Sequence, residues 1–203
     1  MNTLILARHA HAVSNVADAV NAVPPGQGLS AAGVEEARAL GRALASEPIE
    51  LGVSSRLRRA HDTLALALAG RGTPCLVEQR LDEIGFGSFE GGSLSDYRAW
   101  AWTSAADARC PGGGESRAHA AARLADGLAA LLERPEHAVL AVSHGLPVRY
   151  VLDAAAGRVP SQHLEPVPHA TAHVLERAAV ERAATTLRAW AAEPAFADAP
   201  FGG

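Results

Sequence analysis

The chain has 203 residues, of which 48% are hydrophobic, 4% aromatic and 20% charged, a balance that builds a core and excludes disorder. A formal net charge of −4 gives no ground for a nucleic-acid surface. All 18 basic residues are arginine, which excludes a Schiff base, a P-loop lysine and a kinase-type lysine.

The apolar run Leu4 to Ala7 is short and bounded by polar residues, as a buried parallel strand should be. Arg8 and His9 cut it too soon for a signal peptide, and no uncharged stretch reaches the length of a membrane span. The expectation is a soluble, cytoplasmic protein with no membrane or nucleic-acid partner. A polar loop follows, through Asn15 and Pro24-Pro25-Gly26-Gln27-Gly28. Ser30 then caps a helix with Val34, Ala37, Leu40, Gly41 and Leu44 at helical spacing. Leu51 to Val53 is a second strand, ending at Ser54-Ser55, and a helix runs from about Leu57 to Ala69. Cys75 to Val77 reads as a third strand. With only Cys75 and Cys110 in the chain there is no disulfide framework, and each reads as a small buried or half-buried side chain.

Gly85 to Gly114 is irregular and glycine-rich, with Trp100 and Trp102 in a short helix. An amphipathic helix spans Ser116 to Leu132, its stripe formed by Leu124, Leu128, Leu131 and Leu132. Ala138 to Val142 is the most apolar strand, and Gly145 to Ala156 the next helix. Thr171 to Leu175 and Thr185 to Trp190 are read as two final strands, and 193–203 as a loose tail. Strands alternating with helices predict one domain, a three-layer α/β/α sandwich with a mostly parallel central sheet.

Ligands of open α/β sheets bind beyond the carboxyl ends of the strands. Three such ends carry Arg8-His9, Ser54-Ser55-Arg56-Leu57-Arg58-Arg59 and Ser143-His144-Gly145. One rim thus collects two histidines and several arginines. Cations packed at one rim repel one another unless an anion lies between them, and phosphate suits arginine's fork.

Leu6-Ala7-Arg8-His9-Ala10 resembles the Arg-His-Gly signature of the histidine phosphatase superfamily, which includes the cofactor-dependent phosphoglycerate mutases. Further blocks follow in the family's order: Asn15, Leu29-Ser30-x-x-Gly33, Ser54-Ser55-x-Leu57-x-Arg59-Ala60-x-x-Thr63, Leu81-x-Glu83 with Phe89-Glu90-Gly91, Gly113-Gly114-Glu115-Ser116 with Arg123, and Val142-Ser143-His144-Gly145. The resemblance implies a phosphoglycerate mutase-like fold and a phosphatase that acts on a small phosphorylated metabolite without a cofactor or metal. It implies His9 as the nucleophile that becomes a phosphohistidine. Glu83 is then the general acid and base, and His144 a further catalytic group. Arg8, Arg59, His144 and Asn15 would hold the phosphate. Ala10 replaces the signature's glycine, and Arg56 stands where the family often has proline. Arg56 and Arg58 are therefore expected to contact substrate. Glu90 is expected to be a structural loop carboxylate, and Glu115-Ser116 a helix start. Tyr97, Arg98, Trp100 and Trp102 are expected to cap the pocket and select the substrate. The role of His11 and the oligomeric state are open, a homodimer included.

Three alternatives stand beside this reading. A mutase would return the phosphoryl group to its substrate, but Asn21-Ala22-Val23-Pro24 stands where the mutases keep a threonine-glycine pair. A metal-dependent hydrolase would use His9-x-His11 as zinc ligands. The third is a non-catalytic binder of phosphorylated ligands.

Overall fold

The computed structural model describes residues 1–197. Its central sheet has five strands, β1 (Thr3–Arg8), β2 (Leu51–Ser54), β3 (Cys75–Val77), β4 (Ala138–Ser143) and β5 (Ala172–Glu176), in the order β3-β2-β4-β1-β5. The first four are parallel and β5 runs antiparallel beside β1. Seven helices accompany them: α1 (Val13–Val16), α2 (Ala31–Ala43), α3 (Arg58–Ala67), α4 (Leu94–Ala101), α5 (Arg117–Leu132), α6 (Gly145–Ala155) and α7 (Arg177–Ala192).

Side chains alternate between the two faces of a strand, and both faces here are covered. Ile5, Ala7, Leu140 and Val142 pack against Leu40, Ala60 and Leu64 of α2 and α3. Leu4, Leu6, Val139 and Ala141 face the opposite way, into the larger core with Leu124, Leu128, Val151 and Leu187 of α5, α6 and α7. All six residues of β4 are buried, which accounts for its unbroken apolar sequence. Ser30 and Ser116 cap α2 and α5 by accepting from the Gly33 and His119 amides, at 3.1 Å each. Gly33 also permits a close approach, because a Cβ there would overlap the His11 carbonyl.

Three expectations are corrected. Thr185 to Trp190 is not a strand but the last half of α7, whose buried Val180, Ala183, Ala184, Leu187 and Trp190 repeat at three and four residues. Two adjacent threonines suggest a strand locally, and the helical stripe around them decides otherwise. Residues 193–197 are tethered rather than loose, since the Trp190 indole donates to the Ala195 carbonyl at 2.6 Å and the Phe196 ring lies tilted beside that of Trp190, 5.7 Å between centroids. The rest of that expected tail, 198–203, lies outside the described residues. Cys75, on the edge strand β3, is exposed, whereas Cys110 is buried as expected. No helix among the described residues is long and apolar enough to cross a membrane.

Candidate active site

The parallel strands end along one rim, and register aligns their chemistry. Arg8 pairs with Ser143 across β1 and β4, and Ser54 with Val142 across β2 and β4. His9 leaves β1 with its amide bonded to the Ser143 carbonyl at 2.9 Å. His9 and His144 therefore meet just beyond the sheet, with ring centroids 5.1 Å apart.

His9 is 3% exposed. Its Nδ1 lies 2.8 Å from its neighbour's carbonyl, that of Ala10, which can only accept. Nδ1 thus carries the proton, and the lone pair sits on Nε2, where the Arg59 Nε–H donates to it at 3.1 Å. Arg59 is buried on the inner face of α3 and also donates to Asn21, at 3.2 Å to Oδ1 and 2.8 Å to the carbonyl. Thr63 locks the pair in place: its hydroxyl donates to the Arg59 carbonyl at 2.6 Å and accepts from the Ala10 amide at 2.9 Å. His144 is fully buried, its Nε2 2.7 Å from the Ser55 hydroxyl, while its Nδ1 has no partner. Arg8 reaches out of β1 to the Val167 carbonyl at 2.8 Å.

Burial lowers the basicity of His9 well below that of an ordinary histidine, and Arg59 and Arg8 lower it further. Burial, Arg59, His9 and Arg8 do the same to His144. Both imidazoles are neutral at physiological pH. Glu83 shifts the other way: burial raises its carboxyl above the usual range, against the Ile84 amide and the charges of Arg59, Arg8 and Arg123. Its loop is fixed from behind. Arg123 donates to the Arg80 and Asp82 carbonyls at 2.9 and 3.0 Å and pairs with Glu115 at 2.7 Å, and the Ser143 hydroxyl donates to the Leu81 carbonyl at 2.7 Å.

Two adjoining pockets share Arg8, Glu83, Phe86 and Leu94 as a common wall. The inner one, about 100 Å³, is lined by His9, Asn15, Asn21 and Arg59. The outer one, about 130 Å³, is lined by Tyr97, Arg98, Trp102 and Arg117 among others. A tetrahedral oxyanion fits the first, between two arginines and a neutral imidazole lone pair. Glu83 stands on the wall between this pocket and the second.

His9, Arg8, Arg59, Asn15 and Glu83 thus line the inner pocket, with His144 packed against His9 from below. The Asn15 Oδ1 is taken by the Ala12 amide at 2.9 Å, so its amide nitrogen is the group left for a ligand. Arg56 and Arg58 line neither of these two pockets, and Arg56 lies instead in a neighbouring one that shares Glu83. Asp82 claims the Arg56 guanidinium at 2.7 Å, and Arg58 lies one position out of phase with Arg59, on the exposed side of α3 beside Asp62. Glu90 is structural as expected, accepting from the Asn21 side chain at 3.1 Å and from the Ala22 and Val23 amides. Of the expected capping residues, Trp100 lies behind the wall against Tyr97 and Phe89. His11 bonds Ser30 at 3.0 Å, away from the inner pocket.

Sequence reasoning missed Asn21, Ser55 as the partner of His144, and the 167–169 segment. That segment brings the Val167 carbonyl to Arg8 and the His169 Nδ1 to the His9 carbonyl, at 2.8 Å each. The serine pair at the end of β2 was the available signal for Ser55. A backbone carbonyl leaves none.

The family model described as histidine phosphatase superfamily (branch 1) matches residues 4–193. Among solved structures, YhfR of Bacillus stearothermophilus is 25% identical with a TM-score of 0.75, covering 87% of this chain and 91% of that one. An alpha-ribazole phosphatase from Shigella flexneri is also 25% identical at a TM-score of 0.75, over 86% and 90%. A mycobacterial glucosyl-3-phosphoglycerate phosphatase, in complex with VO3, is 28% identical at 0.74, over 87% and 93%. A search of curated proteins found no match.

Proposed function

We propose that this chain, which belongs to the histidine phosphatase superfamily, hydrolyses a small phosphomonoester through a phosphohistidine on His9. The observation that carries the reading is the tautomer of His9. With Nδ1–H spent on the Ala10 carbonyl, the lone pair is on Nε2, where it accepts from the guanidinium that would grip the phosphoryl oxygens, and both residues line the inner pocket.

In the first step Nε2 attacks phosphorus, an N–P bond forms, and the bond to the leaving oxygen breaks. Glu83, whose carboxyl burial shifts toward the protonated form, gives its proton to the departing alkoxide. In the second step the Glu83 carboxylate takes a proton from water, water attacks phosphorus, and the N–P bond breaks to release phosphate. Arg8 and Arg59 balance the charge that spreads over the equatorial oxygens, and His144 stands by as a further donor. Two guanidiniums supply the positive charge that a divalent ion supplies in other phosphatases, so the mechanism needs no metal.

The test is a rapid-quench experiment with labelled substrate, run beside a screen of phosphorylated metabolites that includes the substrates of the two named phosphatases. An acid-labile, base-stable phosphoryl group on His9, with inorganic phosphate as the product, is the expected result. Label on serine or cysteine, or phosphate returned only to an organic acceptor, would overturn it. EDTA is expected to leave the rate unchanged.

A further inference from the structure

Two arginines of α5, Arg117 buried and Arg123 half-buried, have opposite fates. Arg123 is fully engaged, with Glu115 and the backbone of the acid loop. Arg117, 6% exposed, has no such partner: among the described residues it makes no ion pair. Its Nη1 donates to the Gln162 carbonyl at 2.7 Å, and its guanidinium carbon lies 5.0 Å from the centre of the Phe196 ring. Its Nε is buried with no hydrogen-bond partner.

Beside it, Tyr97 is 5% exposed and its hydroxyl is likewise unpartnered. Burial pushes that phenol up to about 12, so it is a hydrogen-bond donor at neutral pH. Both side chains line the outer pocket. A buried guanidinium without a counter-charge is costly, and so is a buried donor without an acceptor. The wall around them offers little relief. Ile84, Phe86, Leu146 and Pro166 are apolar, Arg98 adds charge of the same sign, and Glu165 is exposed at the rim.

The acceptors beside Arg117 are all neutral, the Gln162 carbonyl and the Tyr97 and Tyr150 hydroxyls, so the partner its guanidinium lacks is an anionic one. We propose that the outer pocket is a specificity site for a second oxyacid, a carboxylate or a second phosphate, borne by the leaving group on a short apolar body. Arg117 and Tyr97 recognise it. The inference rests on the phosphatase reading of the adjoining centre, and it narrows the substrate to a phosphomonoester with two anionic ends. Arginine's fork suits either oxyacid, and chain length decides which of the two reaches it.

The test measures kcat/KM for three substrate series of increasing chain length: ω-carboxyalkyl phosphates, their methyl esters, and α,ω-alkanediol bisphosphates. At the best length the wild-type protein is expected to favour an acid over its ester by about tenfold or more. Arg117→Met brings that ratio close to one, and Tyr97→Phe lowers it. Arg188→Gln, on the exposed side of α7, keeps the wild-type ratio. Whichever series shows the larger preference identifies the second group. Because each ratio is taken within one protein, loss of folded material cancels, and Tyr97→Phe serves where Arg117→Met does not fold. Equal turnover of acids, bisphosphates and esters by the wild type overturns the site and leaves the phosphatase reading intact. So does a ratio that survives both substitutions. Failure to hydrolyse any member, p-nitrophenyl phosphate included, overturns the phosphatase reading and the site with it.

Discussion

The inner and outer pockets share a wall but are built on different principles. The inner pocket sets the end of β1 and the first turn of α3 against α1 and the loop to Asn21, and its groups are tied to backbone: His9 to Ala10, Arg59 to Asn21, Thr63 to Ala10 and Arg59. The outer pocket is made from the 84–117 connection and the 164–167 segment, with apolar side chains around unspent donors. A sheet edge fixes geometry to within a hydrogen bond, whereas a connection tolerates change of length and residue. The proposed function assigns chemistry to the first, and the proposed specificity site assigns substrate choice to the second.

Substitutions in the inner pocket therefore test that division by their effect on every substrate alike. His9→Ala is expected to reduce turnover by about 10⁴-fold or more, whatever the leaving group, measured as steady-state phosphate release. Retention of a substantial rate would move the chemistry away from the sheet edge. Arg59→Met removes the donor beside Nε2 and should cost about 10²- to 10³-fold in kcat, again for all substrates. A loss confined to KM would show that Arg59 only binds.

Glu83 lies on the shared wall, and its substitution is the sharpest probe of the boundary. Glu83→Gln should slow an alkyl phosphate by about 10²-fold and p-nitrophenyl phosphate clearly less in the burst phase, since a phenolate leaves without a proton. The pH profile carries the same assignment. His9 must be neutral, and its lowered basicity keeps it so into the acid range; Glu83 must be protonated, and its raised pKa extends that form above the usual carboxyl range. For alkyl phosphates kcat/KM should fall as pH rises through the Glu83 titration, and Glu83→Gln should remove that alkaline limb. A limb that persists in the variant assigns it to another group.

The smallest effect concerns the tie that aligns the two. Thr63→Val leaves the Ala10 amide without its acceptor in a buried site, which should lower stability by about 1–3 kcal/mol in urea unfolding. Arg59 loses its anchor to the His9 turn as well, so kcat should fall while the ratio between substrates holds. A changed ratio would mean that the inner pocket also selects.

The parts of the site that were legible in the sequence sit where a short apolar strand runs out into Arg8-His9 or Ser143-His144, because a buried parallel strand has few ways to end. Arg59 was legible from the resemblance of Arg59-Ala60-x-x-Thr63 to the family's second motif. The helical phase that buries Arg59 turns Arg58 outward, and the arginine run read as one patch hides that. Asn21 and the 167–169 segment were not legible, since they act largely through carbonyls that every residue possesses. Nor does composition reveal that β5 reverses direction and so delivers its preceding loop to the rim where the parallel strands end.

The sheet order has a further consequence, for the order of assembly. β1 is made before the other four strands of the sheet, yet its two neighbours are β4 and β5, which begin at Ala138 and Ala172. The strand that leads into His9 thus waits for its pairing, and until residues near 143 emerge it has no partner in this sheet along either edge. Contacts so distant in sequence are slow to form, and an apolar strand left open in the interval is a template for pairing with other chains. For this protein the hazard in synthesis falls on the segment that runs into Arg8 and His9.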